Sequence, residues 1–447
     1  MEKFIVNGGK RLSGQVSVSG SKNVSLKVII ASLLTEDKVT IHNVPDIADI
    51  AVLLDIVKDI GVSVSYANHT LKIQAQKLTD YEIPLESGAR IRVSSMLIAP
   101  LLVRLGKALI PNPGGCRIGA RPIDRVVEGL RKMGVHIRYV SKDGYFHADV
   151  PFDETKAKKL VGSTYQFEKN THTGTETLIL AAVLAQGRTV LENAAAEPEV
   201  DDLIAFLTSM GAVIRRKDRT IVIDGVKKLH GVSYTIMPDR NEAVTFAIAS
   251  AITEGDVVVL GAQKKHLEAF LAKLSQVGGK WEEVAGGIRF YGNNLIATDV
   301  TTSHHPGFMT DWQGPWTVLM TKAKGVSTVH ETVFENRFGY VEELRKMGVH
   351  IELFNPKVDE PASFYNFNLE DDQPEYFHAA KIVGPTKLHD AVITISDIRA
   401  GATLVLAALA AKGKSVIFGV ERLDRGYEKI EERLRSLGAD IKRVKEE

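Results

Sequence analysis

The sequence is short of cysteine, of net charge and of long apolar runs, and each shortage removes a class of protein. A single cysteine, Cys116, forbids an intrachain disulfide and suits a reducing compartment. The 56 basic residues against 55 acidic ones leave a formal charge of +1, so no long-range field gathers nucleic acid or an anionic membrane. Any anion bound by this chain must be held by local clusters. The longest apolar stretches, such as 404–411, fall far below the ~20 residues of a spanning helix. The opening MEKFIVNGGKRLSG has no apolar core of a signal peptide. A soluble, cytoplasmic protein with neither nucleic acid nor membrane as a main partner is therefore expected. At 447 residues the chain exceeds one ordinary core, which implies two or three domains.

What is present is repetition. A turn followed by a β-branched strand occurs six times, from EDKVTIHNV at Glu36 to KGKSVIFG at Lys412. Each copy then carries an amphipathic stretch ending in glycine before a second strand; the glycines are Gly61, Gly134, Gly211, Gly278, Gly348 and Gly438. A glycine just past a periodic apolar stretch supplies a left-handed helix cap. Each unit closes with a strand, a polar link, another strand and an almost wholly apolar helix such as LILAAVLAQ, which belongs inside a core. Three copies per half predict domains at 22–237 and at 1–21 plus 238–447. The glycine spacing is 67 to 77 residues except between Gly348 and Gly438, where it is 90. The surplus, an acidic and proline-bearing segment near 355–377, reads as an inserted surface loop.

The expected inner helices open with polar residues near Lys22, Arg92, Thr173, Asp239, Asp311 and Arg399. Capping accounts for Asp239, Asp311 and Asp397. It does not account for Lys22, Arg92, Arg240 or Arg399, because a cation at a helix N-terminus opposes the helix dipole. Anionic ligands at these helix starts would explain them. The loop PNPGGCRIGARPIDR sets Arg117, Arg121 and Arg125 beside Cys116, which favours a reactive thiolate. Further charged loops hold Glu335 with Arg337, and Asp424 with Arg425; a surface pair such as Asp424–Lys429 is the plain alternative. His304-His305 lacks a third ligand at metal spacing, so no metal is expected.

The motifs SGSKN, PGGCRIGARPID, PDRNE, PGFMTDWQ, FENRF, SDIRAGA and DRGYEKIEERLRSLGA resemble the enolpyruvyl transferases, from Phe4 onward except in the acidic insertion. The resemblance implies an α/β fold of two inverse, barrel-like domains of three repeats each. It implies transfer of the enolpyruvyl group of phosphoenolpyruvate to the 3-hydroxyl of UDP-N-acetylglucosamine, the first committed step of peptidoglycan synthesis, without metal or organic cofactor. Lys22 and Asn23 would hold phosphoenolpyruvate, with Arg121, Arg399 and Arg425 neutralising it. Cys116 would be the acid and Asp311 the base, with Lys22 and Arg425 also in the catalytic set. Arg92, the stretch Arg121, Pro122, Ile123, Asp124, Arg125, the stretch Asn170, Thr171, His172, Thr173, and Val333 would form the UDP-sugar site. Arg337 and Asp397 join the substrate-binding set. The stretch from Asn170 to Gly174 replaces the family's usual Ser-Val-Gly turn, which leaves open another acceptor or a catalytically idle UDP-sugar-binding regulator. Shikimate 3-phosphate is disfavoured as acceptor, since no Gly-Thr-Arg turn is present.

Overall fold

A computed structural model describes residues 2–114, 119–120, 122–151, 159–292 and 294–445. The chain divides into two compact units: 20–116 with 122–237, and 1–19 with 117–121 and 238–447. The boundary drawn above at 21/22 thus lies at Ser19/Gly20. The described loop residues 119 and 120, expected with the first domain, group with the second unit. There the Ala120 N–H donates to Glu335 Oε1 at 2.5 Å.

Among the described residues the β-branched segments form the strands of six small sheets, three in each unit. The first shows the shared plan. Strand Val39–His42 runs antiparallel to Thr70–Gln74, which pairs with Ser63–Ala67, while Ser233–Thr235 adds in parallel on the open side. Burial alternates along the central strands, as a sheet with one face on a core requires. The sheet built on Lys107–Pro111 has three strands, with the bridge Glu82↔Leu109 at the place of the fourth. In the second unit the central strand of the last sheet is Glu2–Asn7, antiparallel to both Lys414–Phe418 and Asp440–Lys445. Ser13–Ser17 joins Asp256–Leu260 in parallel. Residues 2–17 therefore complete two sheets of the second unit.

The inner helices of the first unit are Lys22–Ala31, Ile98–Leu105 and His172–Ala182; those of the second are Arg240–Ile252, Gln313–Lys322 and Ile398–Ala410. In the second unit all three pack against one another. Their apolar residues are almost all sealed from water, the valines, leucines, isoleucines, methionine and phenylalanine contributing about 1.5–3 kcal/mol each. The six glycines all adopt the left-handed conformation their place demanded, with φ from 87° to 102°.

Two expectations need correction. The helix expected to begin near Arg92 is a 3-10 turn over Arg92–Leu97, and the α-helix starts only at Ile98. Pro100 has no N–H for the Met96 carbonyl, and Ser94 Oγ bonds the carbonyls of Gly88 and Ile91 instead. The acidic insertion is more than a surface loop. It forms helix Pro361–Phe364 and a turn at Leu369–Asp371, and it buries Tyr365 and Phe367. These rings stack at 4.8 Å and meet His378, while Tyr365 Oη bonds His330 Nε2 at 3.1 Å. The insertion is stapled by its aromatics, and its Asn366 N–H reaches the Thr332 carbonyl.

Candidate active site

In the second unit the openings of all three inner helices feed one polar cluster. Asp239 and Asp397 are N-caps, accepting from Asn241 and Glu242 and from Arg399 and Ala400 respectively. Asp311 does something else. It lies within a 3-10 turn, Thr310–Trp312, whose N-cap position is Met309. Its Oδ1 accepts from Arg337 Nη2 at 2.7 Å and its Oδ2 from Arg399 Nη2 at 3.2 Å. Asn241 Nδ2 also reaches Oδ2, at 3.5 Å, while Asn241 Oδ1 takes the indole N–H of Trp312. Trp312 and Trp316 sit in an edge-to-face cluster with Phe270 and Phe308, so they support this turn from behind.

Arg399 begins the helix Ile398–Ala410, where a cation needs compensation. Burial opposes its charge, but Asp311, Tyr427 and Asp239 together outweigh that and hold its pKa above the ordinary arginine value. Its other amine donates to Tyr427 Oη at 3.2 Å, and Tyr427 bonds Thr245. Arg240, likewise at a helix start, lies over the Trp312 ring and faces His305. Arg425 is half-buried in the turn that follows helix Val420–Leu423. Its neighbour Asp424 pairs with Arg443 rather than Lys429.

Glu331 is a site residue that the sequence reading missed. Fully buried, it accepts from the N–H groups of Val333 and Phe334 and from the Thr310 hydroxyl. It thereby ties the segment of Val333 and Arg337 to the turn of Asp311. Burial raises its pKa although Arg337 opposes this. The signal was there: a glutamate closes this β-branched strand where KSVIFG and EGDVVVLG have glycine.

In the first unit Lys22 opens the helix Lys22–Ala31 behind the Ser21 cap, and Asn23 is half-buried beside it. The Lys22 ammonium pairs with Asp49 at 2.8 Å, both nearly shut from water. Asp49, in the first turn of helix Ala48–Asp59, is a second partner not foreseen. Arg92 is half-buried at the 3-10 turn. Pro122 and Asp124 are exposed, and Ile123 and Arg125 half-buried, at the start of helix Asp124–Lys132. Asn170 is buried with Nδ2 toward the Asn193 carbonyl, Thr171 caps the helix through Gly174 N–H, and His172 and Thr173 form its first turn. His172 Nε2 lies 3.1 Å from Glu176 Oε1, and Glu176 Oε2 lies 2.9 Å from Lys27 Nζ. Lys27 and Glu176 were passed over as parts of apolar helices; a lone charge inside such a run was the cue. Cys116, Arg117 and Arg121 lie outside the described residues.

Repeated inside-out α/β units, cationic helix starts and a carboxylate gripped by two arginines define a class of transferase. The chain belongs to the EPSP synthase (3-phosphoshikimate 1-carboxyvinyltransferase) family, whose model it matches over residues 6–434. It is 42% identical to the UDP-N-acetylglucosamine 1-carboxyvinyltransferase of Lawsonia intracellularis, covering 100% of both chains. It is also 42% identical to the enzyme of that name from Acidobacterium capsulatum, over 99% of this chain and 96% of the relative. Among solved structures, the enolpyruvyl transferase NikO from Streptomyces tendae superposes with a TM-score of 0.85 at 25% identity, covering 100% and 99% of the two chains. EPSP synthase from Acinetobacter baumannii, at 18% identity and a TM-score of 0.71 over the full length of both, shares the fold.

Proposed function

We propose that this protein transfers the enolpyruvyl group of phosphoenolpyruvate to the 3-hydroxyl of UDP-N-acetylglucosamine and releases phosphate, supplying peptidoglycan synthesis. The family model is described by a different acceptor, so the substrate rests on the full-length match to relatives named for this one. The structural observation that carries the reading is Asp311, whose two oxygens are fixed by Arg337 and Arg399.

The reaction has two stages. The acceptor hydroxyl loses its proton to Asp311 as its oxygen bonds the central carbon of phosphoenolpyruvate, while the methylene carbon gains a proton from Cys116. The resulting ketal then loses a methyl proton and expels phosphate, restoring the double bond on the new ether. Phosphoenolpyruvate carries several negative charges, and Lys22, Arg121, Arg399 and Arg425 supply fixed cations against them. Asn23 orients the phosphoenolpyruvate. Arg337 contributes by holding Asp311. The uridine and diphosphate fall to Arg92, to 121–125 and 170–173, with Val333 against the sugar. Asp397 acts through the helix start that it caps.

Phosphate release from a mixture of phosphoenolpyruvate and UDP-N-acetylglucosamine tests the reading. Release with another acceptor but none with this one overturns the substrate. No release with any acceptor, alongside UDP-sugar binding, overturns the activity.

A further inference from the structure

Lys27, Glu176 and His172 form a charged chain through the apolar interior of the first unit. Glu176 has no exposure, Lys27 is almost sealed, and only the His172 side chain reaches the surface, at 25% exposure. The Lys27–Glu176 pair is already electroneutral, so a core that merely needed balance would stop there. A third, basic partner instead stands on the first turn of helix His172–Ala182, against the helix dipole. Its Nε2 faces Glu176 Oε1 at an ion-pair distance of 3.1 Å, and a protonated ring carries a second donor, Nδ1–H.

Resting on the reading above, in which 170–173 border the acceptor, we propose that Glu176, anchored by Lys27, is a positioning residue that orients the His172 imidazolium, and that its Nδ1–H donates to the acceptor's diphosphate. A phosphate-bearing ligand supplies the anion that this helix start lacks. The 3-10 turn Arg92–Leu97 and the helices Asp124–Lys132 and Pro198–Ser209 pack on this helix, and the charged residues they carry include Arg92, Arg125, Glu128 and Glu199, with Glu197 at the cap of the last. Of these, Glu197 acts on the imidazole directly. Burial and the nearby Lys27 charge disfavour charge on His172, yet Glu176 and Glu197 together outweigh them and hold the pKa above its ordinary value. Burial likewise pushes Glu176 up, and His172 with Lys27 more than reverse it.

The test is the pH dependence of KM in the full-length enzyme. In the wild type, KM for UDP-N-acetylglucosamine rises as pH climbs through the titration of His172, above 6.5. His172→Gln raises that KM about tenfold at neutral pH, the worth of one charge-assisted hydrogen bond, and removes this part of the profile. Glu176→Gln moves the rise to lower pH, because the imidazole keeps its burial and loses its carboxylate. KM for phosphoenolpyruvate stays constant in both. An unchanged acceptor KM and profile in His172→Gln overturns the proposal. Histidine NMR titration of the intact protein is the second arm, and needs neither turnover nor a folded Glu176 variant. His172 titrating below 6.5 there overturns it as well. Absence of any turnover with this acceptor in the wild type would instead be a failure of the substrate reading, and the NMR arm separates the two.

Discussion

At Asp311 a short side chain takes on several tasks at once. Replacing it with asparagine keeps the shape, removes the carboxylate proposed above as the base and leaves two largely buried guanidiniums without their counter-charge. Asp311→Asn is expected to lower kcat by ~10²–10⁴-fold and to cost ~1–3 kcal/mol of stability. Stopped-time phosphate assays and a thermal melt read the two separately; a kcat within a factor of three of wild type would remove Asp311 from the mechanism. A second residue-scale expectation concerns His330. Burial, helped by nearby His378, lowers its pKa to about 4. The unfolded chain therefore takes up a proton at His330 as pH falls below 6.5, before the folded chain does. This contribution to stability is whole above 6.5 and is lost between 6.5 and about 4. The melting temperature of His330→Gln should fall less steeply than wild type across that window, and parallel curves would refute the assignment. The charges at Lys22, Arg240 and Arg399 were legible from sequence because they violate a dipole rule. Asp311, the partner of Arg399, was legible from its motif, but Asp49, the partner of Lys22, was not, since a carboxylate in an amphipathic stretch looks like solvated surface until the fold buries it.

The elements themselves were readable in type and order. Glycine after each outer helix predicted a left-handed cap, and all six positions have one. They differ in what surrounds them. At Gly134, φ is 88° and an added Cβ meets nothing within 4 Å. At Gly278, φ is 92° and the Cβ would lie 2.3 Å from the Asn294 carbonyl oxygen. Gly134→Ala is thus expected to cost ~1–2 kcal/mol, the conformational strain alone, and Gly278→Ala distinctly more. Equal denaturation midpoints for the two variants would contradict this. The start of the second inner helix was misjudged because periodicity does not distinguish a 3-10 turn from an α-helix, and Pro100 was not weighed. The insertion was misjudged for its composition: acidic residues and prolines suggested a solvated loop, while Tyr365 and Phe367 fold inward.

Each unit has its own interior. That of the first is one continuous cluster from Val24 to Met237, whereas all three tryptophans, at 281, 312 and 316, belong to the second. Tryptophan fluorescence therefore reports one unit, and far-UV dichroism both. Phe206→Ala, in the first core, removes a fully buried ring at ~3–5 kcal/mol. It should shift the dichroism transition in urea while leaving the fluorescence midpoint nearly in place. Coincident shifts in both signals would show that the two cores unfold as one. The sixfold repeat made the architecture legible because six matches in one order constrain each other. The site was less so, because its partners come from segments far apart in the chain.

The strand Glu2–Asn7 carries Phe4 and Val6, both sealed from water once folded, yet its neighbours arrive at Lys414–Phe418 and Asp440–Lys445. Arg443 reaches back across 441 residues to Glu2. On a ribosome adding ~5–20 residues per second, that strand waits on the order of 20–90 s for its partners. Meanwhile 20–237 can already be folding. The nascent chain thus trails an apolar, unpaired segment throughout its synthesis, a ready client for a holding chaperone. A fusion attached before residue 2 would burden this wait more than one placed in the insertion near 355–377.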